Sequence, residues 1–207
     1  ELELASGEKL DADLVVSAAP AHALCEMLRP FDGEFAELIA GIPYASMNVI
    51  CCGYAREKIA RDLDGFGYLI PRKEGRSILG TLWDSSIFPR RAPEGHVLLR
   101  SMMGGATNPA ASGLSDDEVL ARTMADLRDI MGITAKPDFV RIFRHPQAIP
   151  QYLSGHARRL AAINERLLRH PGLFVTGNAL YGVGLNDCVH AANRAAEQVA
   201  KHLSATM

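Results

Sequence analysis

Charge of one sign is what this sequence lacks most plainly. Its 22 Lys and Arg stand against 24 Asp and Glu, for a net charge of −2. No basic footprint exists to neutralise a phosphate backbone, which argues against nucleic acid as a partner. Cysteine is sparse too. Cys25, Cys51, Cys52 and Cys188 are the only four, and they lack the paired spacing of a zinc site. Adjacent Cys51 and Cys52 in an apolar run read as buried thiols, which favours a reducing, cytoplasmic setting over secretion. No apolar stretch reaches the roughly 18 residues needed to cross a bilayer, and no signal-peptide pattern occurs. Peripheral contact with the cytoplasmic membrane stays open.

Familiar catalytic signatures are missing as well. There is no Gly-x-Gly-x-x-Gly fingerprint, so the chain cannot hold a dinucleotide by that device alone. There is no Gly-x-Ser-x-Gly elbow for a hydrolase. The seven histidines show no metal-ligand spacing. Arg158-Arg159 reads as a solvated helix face, and Gly104-Gly105 as a turn. Met102-Met103 reads as core packing, with an apolar pocket as the alternative. No side chain stands out as a catalytic acid, base or metal ligand.

What is present is an ordinary globular composition, 48% hydrophobic and 22% charged. A chain of 207 residues is long enough for one large domain or one and a half small ones. It opens on Glu1-Leu2-Glu3-Leu4, an alternating strand pattern, followed by a Ser6-Gly7 turn and a second strand at Asp13–Ala18. A start inside a hairpin suggests a fragment whose upstream half is missing. Helices are expected over Ala21–Leu28 and Gly33–Ala40. Strands then dominate: Ser46–Ala55, Gly65–Ile70, Ser77–Trp83 and His96–Met103, at spacings that point to an antiparallel sheet. A helix from Ser115, with Asp116, Asp117 and Glu118 in its first turn, runs to Gly132. Phe139–Phe143 is a strand, Ser154–Arg169 a helix and Leu173–Thr176 a strand. The last helix covers Asp187–Leu203, with Val189, Ala192, Ala196, Val199 and Leu203 as its packing stripe. The fold class is α+β.

"GNALYGVGLNDC", Gly177 to Cys188, is the most informative stretch. A strand, a glycine turn and a helix bring backbone N–H groups and a positive helix end to one spot. Glycine removes the Cβ that would hold a backbone away from a ligand's face. A tight connection with no ligand is the competing reading.

Four stretches, taken in order, resemble the C-terminal half of the oxygen-dependent protoporphyrinogen oxidase family, within the flavin-containing amine oxidases. They are "ADLVVSAAP", "GFGYLIP" leading to "ILGTLWDSSIFP", "IPQYLSGH" and "GVGLNDCVHAANRAAEQVA". Amine oxidases typically carry Gly-Ala and later Ser-Gly where this chain has "VGLNDC", which favours the porphyrinogen branch. The resemblance implies residues 1–45 returning into an FAD-binding domain, a substrate-domain sheet over 46–144, and a closing strand-turn-helix over 145–207. It implies FAD, with Val183, Gly184 and Leu185 against the flavin ring. Ala157 stands where some relatives carry a flavin-contacting Trp. It implies a porphyrinogen pocket on Phe66, Leu69, Leu82 and Met102, and O2 as electron acceptor. The Rossmann half of the same protein would be an essential partner, so this part alone would be inactive; a homodimer stays open. A non-catalytic porphyrin-binding module, or a coproporphyrinogen-, amine- or carotenoid-oxidising relative, is the alternative.

Overall fold

A computed structural model describes residues 1–206. The chain divides into two compact units, one of Glu1–Tyr44 with Pro150–Met207 and one of Ala45–Ile149.

The first unit begins with a small antiparallel hairpin. Strands β1 (Leu2–Glu3) and β2 (Lys9–Leu10) pair with Leu2 opposite Leu10, and Gly7 supplies the positive φ of the turn. The expected second strand, Asp13–Ala18, belongs elsewhere. Its observed core, β3 (Val15–Ser17), runs parallel to a strand near the chain's other end. Helices α1 (Ala21–Leu28) and α2 (Gly33–Ala40) follow. They bury Leu24, Leu28, Phe35 and Ile39 in one cluster. Asp32 caps α2 by accepting from the Phe35 amide at 3.0 Å.

The second unit is a five-stranded sheet covered on one face by a helix. Its elements are β4 (Tyr44–Ala55), β5 (Gly67–Leu69), β6 (Gly80–Trp83), the short α3 (Asp84–Ile87), β7 (His96–Gly104), α4 (Asp116–Met131) and β8 (Phe139–Pro150). The sheet order is β5-β6-β7-β4-β8, and the β5/β6, β6/β7 and β7/β4 pairs are antiparallel. Alternation sends Ile50, Cys52, Tyr54, Leu99 and Met103 to the covered face, where they meet Val119, Leu127 and Met131 of α4. Each fully buried side chain of this size contributes about 1.5–3 kcal/mol. Ser115 and Glu118 form a reciprocal capping box at the start of α4. Buried Asp126 on α4 accepts from the Ser77 and Ile78 amides at 2.8 and 3.0 Å, fixing the approach to β6. Strand β8 runs seven residues beyond Phe143, through Pro146. It lies at the sheet's edge, where a missing N–H costs no ladder bond.

The chain completes the first unit with α5 (His156–Leu167), β9 (Leu173–Val175), α6 (Asn178–Tyr181) and α7 (Leu185–Thr206). Helix α5 starts two residues later than expected, because Gly155 adopts φ +94 just before it. The β3/β9 pair matches Val15 with Leu173 and Ser17 with Val175. Among the described residues no other strand joins it on either edge. Helix α7 corrects its expected packing stripe. The residues it buries are Ala191 and Ala195, whereas Val189 is 53% exposed and Leu203 39%. Of the expected stripe only Val199 is even half-buried. Small side chains seat this helix, while Leu185 and Val189 at its start face outward.

Candidate cofactor turn and substrate face

The turn after β9 is more ordered than a glycine loop. Gly177 at φ +114 and Gly182 at φ +126 bracket the single helical turn α6. Two side chains from "IPQYLSGH" hold it. The Tyr152 hydroxyl donates to the Asn178 carbonyl at 2.5 Å and accepts from the Gly182 amide at 2.7 Å. The His156 ring stacks on Tyr152 with centroids 3.9 Å apart, and its Nε2 lies 3.2 Å from the Leu180 carbonyl. Burial raises the Tyr152 phenol above its ordinary pKa, so it stays a donor at neutral pH. Neither residue stands out as a site residue in the sequence. The only signal was the Tyr-to-His spacing inside that motif.

Beyond the bracket, Val183, Gly184 and Leu185 are all exposed, Leu185 at 81%. Leu185 opens α7, whose first N–H groups have no acceptor within the helix. The Cys188 amide bonds the Gly184 carbonyl at 3.0 Å, which sets Gly184 as the cap. The glycines of the turn differ in kind. A Cβ on Gly182 would run into the Asp187 side chain, and its φ is strained for any other residue. Gly184 has no positive φ, and a Cβ there would meet only the flexible tip of Asp187, 3.0 Å away. The turn's own geometry thus requires glycine at 182, whereas at 184 glycine serves only as a cap that other residues could replace. An open backbone beside helix-end donors suits a flat group with an acceptor-rich edge, and a flavin ring is such a group. Ala157 is exposed at the start of α5, next to His156.

In the second unit, the sheet face opposite α4 carries most of the expected substrate residues. One cross-strand row runs Leu69, Gly80, Met102, Val49; the next runs Gly67, Leu82, Arg100, Cys51. Leu69, Leu82 and Met102 therefore share one face. Phe66 stands one residue outside β5. Strict alternation would turn it with Tyr68 toward α4, yet it is 74% exposed and stays out of that core. Alternation also separates two adjacent pairs: Met103 is fully buried while Met102 is on the open face, and Cys52 is buried while Cys51 is not. The reading of Cys51 as a buried thiol is corrected on this ground. Between these apolar residues lies a charge. Arg100 Nη2 donates to Asp84 Oδ1 at 3.0 Å, and Asp84 is almost wholly buried. Two cavities bear on this reading, and of the expected substrate residues only Leu69 lines one of them. One of about 360 Å³ opens beside β5 among Tyr68, Leu69, Trp83 and Ile130. The other, about 570 Å³, runs along β9 between Leu173, Tyr181, Ala191 and Ala195.

Residues 1–200 match the family of flavin containing amine oxidoreductases. The chain belongs to that family. It is 34% identical to the chloroplastic protoporphyrinogen oxidase of Oryza sativa subsp. japonica, over 94% of this chain and 38% of the rice protein. It is 30% identical to the coproporphyrinogen III oxidase of Bacillus subtilis, over 98% of this chain and 43% of the other. A solved structure from Exiguobacterium sp. 255-15 superposes with a TM-score of 0.75 at 28% identity, covering 93% of this chain and 42% of that one. The chain thus spans less than half the length of these relatives. Cyclohexylamine oxidase from Brevibacterium oxydans, at 16% identity and a TM-score of 0.70, shares the fold.

Proposed function

We propose that this chain is the substrate-face and turn-bearing part of an FAD-dependent porphyrinogen oxidase that passes electrons to O2. The observation carrying the reading is the agreement between family and local geometry. A flavin family member exposes backbone at Val183-Gly184-Leu185, where the fold asks of Gly184 only that it cap α7. FAD, when bound, supplies the acceptor for the hydrogen removed from the substrate. This chain's residues do the rest. Tyr152 and His156 hold the turn in place. The N–H groups opening α7 stabilise negative charge on whatever edge faces them. Leu69, Leu82 and Met102 give a large macrocycle an apolar wall.

The substrate is protoporphyrinogen IX on the similarity to the rice protein; the similarity to the B. subtilis protein favours coproporphyrinogen as the second reading. A remaining portion of the protein would complete the cofactor site. Two parallel strands seldom stand alone. The test uses protein purified from the complete gene. A flavin absorbance band, with porphyrin fluorescence rising from either porphyrinogen in aerated buffer above autoxidation, is expected. A flavin-bound protein that oxidises neither would overturn the reading.

A further inference from the structure

We propose that Arg100 is a carboxylate anchor set into the apolar face, holding a propionate of the tetrapyrrole; the proposal rests on the porphyrinogen reading above. Arg100 sits in the middle of β7, with Leu82 and Cys51 as its cross-strand neighbours. Leu98 and Met102 flank it along the strand on the same face. A guanidinium carries five N–H donors, and among the described residues this one makes a single hydrogen bond, from Nη2 to Asp84. Its Nε is shut away from solvent with no partner among the described residues. Such a donor is costly unless something satisfies it. Arginine–carboxylate pairs are frequently bidentate, and this one is not. Here Asp84, nearly buried, takes one donor and fixes the arginine's direction. The free Nη donors lie at the part-exposed end of the side chain, on the face that carries Leu82, Leu98 and Met102.

A porphyrinogen matches that surface, being an apolar macrocycle that carries carboxylates on flexible arms. Protoporphyrinogen bears its propionates along one edge, and coproporphyrinogen bears one on every pyrrole. The shared chemistry is a propionate, and the two rings are separable by experiment.

The test is a titration of the protein purified from its complete gene, followed by the porphyrin absorbance shift. The probes are coproporphyrin III, protoporphyrin IX and etioporphyrin, which has the same ring and no carboxylate. Arg100→Leu should weaken coproporphyrin III by about tenfold or more, the worth of one charge-assisted hydrogen bond, and leave etioporphyrin unchanged. Because Arg100→Leu strands the buried Asp84 carboxylate, the double variant Asp84→Asn with Arg100→Leu is measured beside it and should show the same selective loss. An equal loss for protoporphyrin places the anchored propionate on the edge both rings share. A smaller loss places it on the pyrroles where only coproporphyrin has one. If the double variant binds coproporphyrin III like wild type, or loses etioporphyrin equally, the anchor is overturned. If wild type binds none of the three, the porphyrinogen reading itself falls.

Discussion

The Tyr152 hydroxyl accepts the Gly182 amide at 2.7 Å, and the same oxygen donates to the Asn178 carbonyl at 2.5 Å. One side chain from the segment before α5 thereby ties both ends of the α6 turn. The glycine bracket is held by this bond, and the backbone at Val183-Gly184-Leu185 follows directly from it.

Tyr152→Phe removes both hydrogen bonds while keeping the ring that stacks on His156. The residue is 41% exposed, so water repairs part of the loss, and the cost should be about 1–2 kcal/mol. Hydrogen exchange at the Gly182 amide should accelerate well beyond that of amides in α4. Unchanged exchange at Gly182 would show that the turn is held by something else.

The long elements were legible because their signals are local. Helix α4 carries its capping Ser115, an acidic first turn and a terminal Gly132 at helical spacing, and β4 and β7 are apolar runs bounded by turn residues. The turn before α7 was legible as a glycine-rich site, but its internal helix was not, because four residues give no period to read. The parallel β3/β9 pair depends on contacts between segments more than 150 residues apart, which no local pattern encodes. Helix α7 misled for a different reason. Hydrophobicity points Val189 and Leu203 inward, whereas close packing selects Ala191 and Ala195. The pairing of Asp84 with Arg100 needed the sheet register, which places position 100 opposite 82 and 51.

Asp32 predicts an acid limit for the first unit. Arg166 grips its carboxylate through Nε and Nη2 at 2.6 and 2.7 Å, and His170 Nε2 lies 2.6 Å from it. The Arg166 guanidinium foremost, and then His170 and the Phe35 amide, hold the carboxyl far below the usual range against the opposing effect of burial. A depressed pKa means stability that is fully present above the unfolded value of about 3.9 and lost as pH falls toward the folded one. Denaturation midpoints should therefore decline below about pH 4. In Asp32→Asn the starting stability is lower, and the decline over that range is shallower. Parallel pH profiles for the two proteins would contradict this account.

The adjacent thiols should separate chemically. Burial pushes Cys52 up to about 12, with Cys51 adding to the shift. Burial also raises Cys51, but nearby Arg100 opposes it and the open face leaves it half-buried. The thiolate is the reactive form. Alkylation near pH 8, read by peptide mass, should mark Cys51 well before Cys52. Bound porphyrin should slow the Cys51 reaction if the ring lies on that face. Labelling of Cys52 first in the folded protein would mean that the sheet's two faces are reversed.

The two glycines that end the turn supply the sharpest test of the cofactor reading, because the fold demands only one of them. Gly182→Ala forces a side chain into a positive-φ backbone and into Asp187. Strain of that kind costs about 1–3 kcal/mol before the collision is counted, so stability should fall with or without a cofactor. Gly184→Ala meets no backbone strain and only the flexible tip of Asp187. Its backbone is unstrained, Asp187 can swing away, and the loss of a glycine cap costs no more than about 1 kcal/mol. If a flavin lies on that backbone, the added methyl presses on the ring, and overpacking of about 1–3 kcal/mol appears as weaker flavin binding. The measurement is made on protein purified from the complete gene, with thermal midpoint of the apo form and flavin affinity recorded for each variant. Gly182→Ala should lower the midpoint sharply. Gly184→Ala should leave it nearly unchanged and weaken flavin roughly five- to a hundredfold. A Gly184→Ala protein with a lowered midpoint and undiminished flavin affinity would make the stretch a tight connection and nothing more.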